Sequence, residues 1–311
     1  MATRSDVTST TTSVSTQSGA TPGASGDDPH IAHFERFLRP DPKITYVEPH
    51  DAWLRRQIIH RVEGLFGRNQ VQSIYERLKE PPFDVNEFFL AALEAANIET
   101  SFDEAQLEKI PRTGPLVFVA NHPFGVVDGM IWCNLVLKRR SNFKILIHAL
   151  LCQDKDLLPH FIPIDFSGQK AALETNIVAR KACLDCVRND IPLLIFPSGG
   201  ISTATKFGYG ELVDRPWTTF AAKIIQQTQA TVVPCFFHGR NSRLFQVASY
   251  VAEPLRLALL LNEITNKFNT SVRVDIGDPL GPAMLDQFKG RTELTKHLHD
   301  KVWELGRSNL G

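Results

Sequence analysis

The sequence lacks an excess of either charge, because 34 lysines and arginines balance 34 aspartates and glutamates. A neutral chain without a basic stripe argues against nucleic acid as the main partner. Cysteine is also scarce, and an odd number of five scattered residues favours reduced thiols in a cytosolic setting over a disulfide framework. Cys183 and Cys186 form a C-x-x-C within a helical pattern that has no second pair and no histidine nearby, so we expect neither zinc nor another metal there.

Long hydrophobic runs are missing as well. Residues 1–28 contain almost no large apolar side chains and therefore no core of a secretory signal peptide. The longest apolar stretch, residues 116–137, is interrupted by polar side chains that a lipid-spanning helix would carry at high cost: Asn121, His122, Asp128 and Asn134. We therefore expect a soluble or peripheral protein with neither a signal peptide nor a transmembrane helix.

Residues 1–30 form a low-complexity segment rich in serine and threonine. Such a segment buries too little apolar area to offset its conformational entropy, so we expect a disordered tail. A plastid-type transit peptide has a similar composition and remains the alternative.

The rest of the 311 residues, 43% hydrophobic and 22% charged overall, suits one large domain better than two small ones. Apolar runs predict strands at 115–121, 143–149, 161–165, 192–197, 231–237 and 271–276. Helical spacing predicts helices at 126–139, 168–189, 215–229 (capped by Asp214), 252–267 and 291–305. This alternation predicts an α/β fold: a mixed, mostly parallel sheet with helices on both faces, spanning residues 111–311.

Residues 31–110 precede this region and are predicted to be helical, with a second helix at 86–98 and a polar connection at 99–114. In the first helix, Asp51 is the expected N-cap, and apolar residues recur at helical spacing: Trp53, Leu54, Ile58, Val62, Leu65 and Phe66. Its other faces are basic, so this amphipathic helix either lies in a membrane interface or packs its apolar stripe on the sheet.

Residues 115–130 contain the strongest candidate for chemistry. A buried strand ends at Asn121-His122-Pro123, which places an imidazole at the carboxyl end of a core strand, where open α/β sheets bind ligands. Gly125 lets the chain fold back, and Asp128 opens the next helix. A carboxylate returned beside His122 holds the ring tautomer and stabilises its protonated form, so the pair predicts a general base.

Two further strand ends carry polar turns. Residues 196–202, Phe-Pro-Ser-Gly-Gly-Ile-Ser, let backbone N–H groups approach an oxyanion, whereas a nucleophile elbow would need glycine at position 196, which disfavours Ser198 as a hydrolase nucleophile. The strand at 231–237 exits through Arg240 and Asn241, which are able to bind a carboxylate or an amide unless the exit is an ordinary loop.

Taken together, these segments resemble the glycerolipid (lysophosphatidate-type) acyltransferase superfamily, in particular its hemolysin-like, lyso-ornithine lipid O-acyltransferase branch. The resemblance covers about residues 85–245 and rests on four blocks in order: 121–129, 161–165, 196–202, and 232–234 with 239–242. It implies a peripheral enzyme on the cytoplasmic face of the inner membrane that moves a fatty acyl group from a thioester of acyl carrier protein or coenzyme A to a lyso-lipid hydroxyl, with no other cofactor.

The resemblance implies that His122 is the base and Asp128 its orienting partner. We expect substrates to contact the polar and small residues of the blocks: Asn121, Phe124, Gly125, Ser198, Gly199, Gly200, Arg240 and Asn241. Backbone amides near Gly199 and Gly200, or at the Gly125 turn, are the expected oxyanion donors.

Two departures from the superfamily pattern bear on the acceptor. Five residues separate His122 from Asp128 rather than four, a spacing that the hemolysin-like branch shares. The third block carries Ser198 and Ile201 where the superfamily usually has glutamate and arginine, so a guanidinium that grips a phosphate is expected to be missing. This favours a lyso-ornithine or related aminolipid over lysophosphatidate or another lysophospholipid. A membrane-associated lipid-binding protein with an inactive site is the alternative of another class.

Overall fold

The structure is a computed structural model that describes residues 28–47, 51–65, 67–206, 208–251 and 253–308. Most of the predicted tail therefore lies outside the described residues. The structure does describe the last residues of the tail. The Asp28 carboxylate lies 2.6 Å from Lys144 Nζ, and His30 Nε2 lies 2.9 Å from the carboxylate of Asp185. Attachment to the folded domain thus begins before the predicted boundary at residue 30.

The strands of the described chain are β1 Ile98–Ser101, β2 Leu116–Ala120, β3 Lys144–His148, β4 Phe161–Ile164, β5 Leu193–Ile195, β6 Thr203–Ala204, β7 Leu212–Val213, β8 Thr231–Phe237 and β9 Thr270–Ile276. Seven of them form one sheet in the order β1-β9-β8-β2-β5-β3-β4, and β6 pairs with β7 in a separate antiparallel hairpin. Every neighbouring pair of the large sheet is parallel except β8 and β9. The predicted mixed, mostly parallel sheet is confirmed.

The helices within the described residues are α1 Ile31–Phe34, α2 Trp53–Leu65, α3 Arg68–Leu78, α4 Val85–Ala95, α5 Glu104–Glu108, α6 Val126–Leu137, α7 Lys170–Arg188, α8 Phe220–Thr228, α9 Arg243–Val251, α10 Glu253–Ala258, α11 Leu260–Thr265, α12 Pro282–Leu285 and α13 Arg291–Ser308. Short 3-10 turns occur at Glu35–Phe37, Ala149–Leu151 and Leu158–His160.

The apolar core forms two layers, one on each face of the sheet. The first joins the sheet to α4, α6, α9 and α11, and the second joins it to α7, α8 and α13. Strand β2 shows why its sequence is a continuous apolar run: Leu116, Phe118 and Ala120 enter the first layer, whereas Val117 and Val119 enter the second. A central parallel strand is buried on both faces, so it loses the alternation of polar and apolar residues.

Two elements near the sheet edges were not predicted. Strand β1 lies in the region predicted to be a polar connection, and only Ile98 of its four residues is buried. A short edge strand of this kind carries little apolar signal. The N-terminal region therefore contains a sheet strand as well as helices, because β1 pairs with β9. The β6–β7 hairpin, with two residues in each strand, is similarly too short to recognise.

Two predicted helices begin or end elsewhere. Helix α8 starts at Phe220 rather than at residue 215, and Pro216 disfavours helical backbone at the predicted first residue, Arg215. Asp214 is therefore not a helix cap; its carboxylate accepts from Trp217 Nε1 at 2.8 Å and from the Ser202 hydroxyl. The predicted helix at 252–267 is split into α10 and α11.

Most of the apolar stripe of α2 faces solvent rather than the sheet. Trp53 is 74% exposed and Leu65 is 79% exposed, with Leu54 and Ile58 also exposed. The buried side chains of α2 are Ile59 and Glu63, and Asp51 pairs with Arg55 at 2.7 Å ahead of the first turn. Phe66 lies outside the described residues. Val62 packs against the core, but most of the described stripe does not pack on the sheet.

None of the helices in the described part of the chain has both the length and the apolar character needed to cross a lipid bilayer.

Candidate active site

The carboxyl ends of three adjacent strands, β2, β5 and β8, meet at one edge of the sheet. Strand β2 lies between the other two, with Val119 opposite both Ile195 of β5 and Pro234 of β8. Because all three strands run in the same direction, the polar turns that follow them lie side by side, as the sequence predicts. His122, Ser198 and Arg240 each belong to one of these turns.

The turn after β2 brings the Asp128 carboxylate to the His122 ring. His122 Nδ1 lies 3.0 Å from Asp128 Oδ2, and the same oxygen accepts from the backbone N–H groups of Phe124 at 2.8 Å and Gly125 at 3.0 Å. Gly125 has a φ of +90°, which an L side chain rarely adopts, so the glycine is required for this reversal. Asp128 occupies the first turn of α6, where the helix N-terminus favours a negative charge.

Burial and hydrogen bonding oppose each other at the Asp128 carboxyl. Its side chain is fully buried, which raises its pKa, while the hydrogen bonds from His122, Phe124 and Gly125 offset part of that rise. A carboxylate accepting at Nδ1 fixes the proton of the imidazole on that nitrogen. Nε2 is then the basic nitrogen. It has no hydrogen-bond partner among the described residues, and the His122 side chain is 17% exposed.

The His122 ring is held from a second side by β5 and the segment after it. Phe196 stacks on the imidazole, with ring centroids 3.8 Å apart. Ser202 N–H donates to the His122 carbonyl at 2.8 Å, and the Ser202 hydroxyl donates to Asp214. The third sequence block therefore positions the histidine backbone and ring. Asp214 is part of this support, a role that its sequence position did not reveal.

The predicted oxyanion donors are only partly free. The N–H of Gly125 is occupied by Asp128, and the N–H of Gly199 donates to the Phe196 carbonyl at 3.0 Å. Neither of these two amides is free to bind an oxyanion in this structure. Gly200 N–H has no acceptor among the described residues and is the remaining candidate. Ser198 is buried and donates its hydroxyl to the Gly200 carbonyl at 2.8 Å, so it holds the turn.

A guanidinium does lie at this turn, contrary to expectation. A Cβ added to Gly200 would meet Arg215 Nε and one terminal nitrogen at 3.4 Å. Arg215 is exposed and forms no ion pair or hydrogen bond with any described residue. This guanidinium belongs to the loop before α8. The sequence did not reveal it, because that loop was predicted to be helical.

Two predicted contact residues have structural roles. Asn121 is fully buried; its Nδ2 donates to the Phe237 carbonyl at 2.9 Å, and its Oδ1 accepts from Phe237 N–H at 2.8 Å. It therefore fastens β2 to β8 and has no exposed surface for a substrate. Phe124 is also buried and packs beneath Gly239, where an added Cβ would lie 2.5 Å from its ring.

The turn after β8 contains the two remaining predicted residues. Arg240 is exposed and donates to the Gly210 carbonyl at 3.2 Å. Asn241 is buried, and neither atom of its amide has a hydrogen-bond partner in the described chain. The adjacent Ser242 is held by Glu263 through its backbone N–H at 2.7 Å and its hydroxyl at 2.6 Å.

Lys267 is a site residue that sequence reasoning missed. Its Nζ lies 4.4 Å from the centroid of the Phe124 ring and donates to the Arg240 carbonyl at 3.1 Å. Burial lowers its pKa, whereas the Glu263 and Asp128 charges raise it. Lys267 precedes β9, which runs opposite to β8, so the start of this strand reaches the edge where the others end.

The chain is similar to a known protein family, to two named relatives and to one solved structure. A protein-family model described as an acyltransferase matches residues 50–306. The lyso-glycine lipid O-acyltransferase of Phocaeicola vulgatus is 28% identical over 207 residues, covering 64% of this chain and 71% of that protein. The protein of the same name from Bacteroides thetaiotaomicron is 28% identical over 208 residues, covering 64% and 73%. The crystal structure of the 1-acyl-sn-glycerophosphate acyltransferase PlsC from Thermotoga maritima aligns with a TM-score of 0.49 at 15% identity, covering 82% of this chain and 88% of that one.

Proposed function

Because the chain belongs to the acyltransferase family whose model matches residues 50–306, we propose that it moves a fatty acyl group from a thioester to the hydroxyl of a lyso-lipid. The observation that carries the proposal is the 3.0 Å contact between His122 Nδ1 and Asp128 Oδ2, which leaves Nε2 without a protein partner. A base of this kind lies in the first block by which the chain resembles the family. We propose that His122 acts as the general base and that Asp128 orients its ring.

The proposed reaction needs one base and one oxyanion donor. His122 Nε2 removes the proton of the acceptor hydroxyl as that oxygen attacks the thioester carbonyl carbon. The carbonyl oxygen becomes an oxyanion beside the free N–H of Gly200. When the intermediate collapses, the carbon–sulfur bond breaks, and the leaving thiolate takes the proton from the imidazolium. Asp128 keeps the ring oriented and stabilises its positive charge throughout.

We propose as acceptor an amino-acid lyso-lipid, in which a hydroxyacyl chain is joined to the amino acid through an amide. The two curated relatives are named for a lyso-glycine lipid, which supports an amino-acid headgroup without distinguishing glycine from the ornithine expected from the sequence. The turn after β8 offers the matching chemistry, since Arg240 suits a carboxylate and Asn241 an amide.

A lysophospholipid acceptor is the second candidate. The observation that favours it is Arg215, whose guanidinium lies against Gly200 near the third block. A guanidinium at this position restores a ligand for a phosphate, so the absence of arginine at position 201 no longer argues against lysophosphatidate. An inactive lipid-binding protein is the alternative of another class.

The donor and the membrane complete the proposal. We propose that the thioester is that of acyl carrier protein or coenzyme A, and that the protein works as a peripheral enzyme on the cytoplasmic face of the inner membrane. The exposed apolar side chains of α2, among them Trp53 and Leu65, support contact with a bilayer surface.

The test is a reaction of the purified protein with an acyl thioester and a panel of acceptors: N-(3-hydroxyacyl)glycine, the ornithine counterpart and lysophosphatidate. Mass spectrometry of the lipids should show one acyl mass added to an amino-acid acceptor. Preferential acylation of lysophosphatidate would select the second candidate. Lipid binding without consumption of any thioester would contradict the enzyme proposal and favour the inactive protein.

A further inference from the structure

A cavity of about 280 Å³ lies beside the turn after β8. It is an open depression bordered by that turn, by the start of α9, and by Gly208 and Tyr209 of the segment between β6 and β7. The residues that line it are Gly208, Tyr209, Arg240, Asn241, Arg243 and Gln246.

Two carboxamides with unsatisfied polar atoms, those of Asn241 and Gln246, are among the residues that line the cavity. Asn241 is 1% exposed and Gln246 is fully buried. Both amide atoms of Asn241 and the Nε2 of Gln246 have no hydrogen-bond partner in the described chain, whereas the Oε1 of Gln246 accepts from Ala204 N–H at 2.8 Å. A buried unsatisfied polar group costs about 1–3 kcal/mol, so a cluster of such groups facing a cavity indicates a site for a ligand that satisfies them.

The mouth of the cavity is positively charged. Arg240 and Arg243 are both exposed there, and no acidic residue is found among the lining residues. The guanidinium carbon of Arg243 lies 5.2 Å from the centroid of the Tyr209 ring, and Arg243 forms no ion pair with a described residue. Guanidinium groups bind carboxylates and phosphates through paired, charge-assisted hydrogen bonds.

The cavity adjoins the His122 site on two sides. Gly239, next to Arg240, is in contact with the Phe124 ring of the catalytic turn. On the other side, Ser202 donates to the His122 carbonyl, and Ala204, two residues later, donates to Gln246. The walls of the cavity are therefore joined to the catalytic turn through Phe124 and through residues 202–204.

We propose that this cavity is the headgroup subsite for the amino-acid part of the acceptor, with Arg240 and Arg243 binding its carboxylate and Asn241 and Gln246 binding its amide. The inference rests on the proposed function and deepens it by naming the residues that select the acceptor. An N-(3-hydroxyacyl) amino acid carries the reacting hydroxyl a few bonds from the amide, so the headgroup occupies the cavity while the hydroxyl meets His122. Arg243 and Gln246 were not among the contact residues expected from sequence.

The first test exploits the carboxylate. Acylation of N-(3-hydroxyacyl)glycine and of its neutral glycinamide analogue is measured for the wild type and for Arg243→Gln. The substitution should raise the KM for the glycine acceptor about tenfold to hundredfold, because it removes a charge-assisted hydrogen bond. The kcat, the KM for the thioester and the KM for the glycinamide should stay unchanged. Arg180→Gln, at an exposed arginine of α7, is the matched control.

Two results would overturn this assignment. A higher KM for the thioester in Arg243→Gln would assign the cavity to the donor, whose phosphate groups offer the same anionic chemistry. An unchanged KM for both substrates would exclude the cavity from substrate binding altogether.

The second test uses the missing partners of Asn241. Asn241→Leu replaces both unsatisfied amide atoms by methyl groups on a side chain with the same branching, and the adjoining cavity accommodates the larger groups, so the variant should unfold at a higher temperature than the wild type. It should also bind the acceptor at least several-fold more weakly. A lower unfolding temperature with unchanged acceptor KM would contradict the inference, because the amide would then be structural.

A binding measurement separates this inference from the proposed function. Calorimetric titration of the wild type and of Arg243→Gln with N-(3-hydroxybutanoyl)glycine, without thioester, needs no turnover. Binding by the wild type that Arg243→Gln weakens supports the cavity even if no acyl transfer is found. Acyl transfer to the glycine acceptor that is insensitive to Arg243→Gln would uphold the function and overturn the cavity.

Discussion

The turns after β2 and β8 lie next to each other at the same sheet edge but differ in how their polar groups are satisfied. In the first turn, His122 Nδ1 and two backbone N–H groups converge on Asp128 Oδ2, and Ser202 holds the His122 backbone. In the second turn, Asn241 has no partner for its amide, and the Gln246 side chain nearby is satisfied only at its oxygen.

This difference agrees with the two roles proposed for the turns, catalysis for the first and acceptor binding for the second. A catalytic base needs a fixed ring and a fixed tautomer before substrate arrives, and the first turn provides both from its own atoms. A binding subsite needs groups that remain available, and the second turn retains them at a cost to stability. The Oδ1 atom of Asp128 is the exception in the first turn, because it is buried without a partner.

The largest expected effect is the loss of activity in His122→Ala, which we compare with the same substitution in a second histidine–aspartate pair, formed by His238 and Asp275. His238 Nε2 lies 2.7 Å from Asp275 Oδ2 after β8, so it resembles the pair formed by His122. His122→Ala should reduce kcat/KM by about 10²–10⁴-fold, the usual contribution of a positioned base, whereas His238→Ala should retain most activity. Steady-state kinetics and circular dichroism of both folded variants check this. Comparable losses in the two would remove the distinction between the turns.

Asp128→Asn should give a smaller loss of activity, about tenfold or more, because the tautomer of His122 is no longer fixed. Burial raises the pKa of Asp128, so the folded state binds its proton more tightly than the unfolded chain does. The ionised carboxylate then costs stability as the pH rises through that pKa, and this cost is absent below the unfolded value. Relative to the wild type, the free energy of unfolding of Asp128→Asn should increase from acidic to neutral buffer. Denaturant titrations at both conditions measure this, and a relative decrease would contradict it.

Gly239→Ala should disturb both turns at once. Its φ is +121°, and a Cβ would lie 2.5 Å from the Phe124 ring. We expect a loss of about 1–3 kcal/mol in the free energy of unfolding together with a lower kcat/KM. Gly114→Ala is the control, because its φ is +91° but nothing lies within 4 Å of the added atom. If both variants lose stability equally and neither loses activity, the contact between Gly239 and Phe124 does not contribute to activity.

Substitutions on the exposed surface of α2 should weaken membrane binding without changing the chemistry at either turn. Trp53→Ser combined with Leu65→Ser should weaken binding to anionic vesicles several-fold, because two exposed apolar anchors are removed. Activity on a short-chain, water-soluble acceptor should not change. Leu173→Ser with Ile177→Ser, two exposed apolar residues on α7, is the control in vesicle co-sedimentation. Equal weakening by both pairs would exclude α2 as a specific membrane contact.

His160 lies at the start of β4, at the sheet edge opposite the two turns, and should affect stability alone. Burial lowers its pKa to about 4 from the ordinary 6.5. The neutral form is thus favoured in the fold, so about 3 kcal/mol of stability, present above pH 6.5, is lost as the pH falls towards 4. His160→Gln should flatten this acid dependence in unfolding titrations and leave neutral-pH activity unchanged. An unaltered acid dependence would contradict it.

The parts of the site that the sequence predicted are the local ones. The contact between His122 and Asp128 spans six residues, so the strand end, the glycine turn and the helix start were enough to predict it. The sheet followed from alternating strand and helix patterns. Lys267 was missed because an antiparallel β9 brings the beginning of a strand to an edge where only strand ends were expected.

Long-range placement explains the other differences. Arg215 reaches Gly200 from a loop at residues 214–219, because α8 begins only at Phe220. The cavity needs the β6–β7 loop to lie against α9, and neither two-residue strand is visible in a sequence. Patterns of hydrophobicity report burial within an element, and they carry little information on which loops meet.

The most direct test of the account is a crystal structure of the wild type with N-(3-hydroxyacyl)glycine bound and no thioester. The account predicts the acceptor hydroxyl within about 3.2 Å of His122 Nε2, with the carboxylate on Arg240 and Arg243. An acceptor hydroxyl bound beside His238, or held far from the His122 ring, would contradict it.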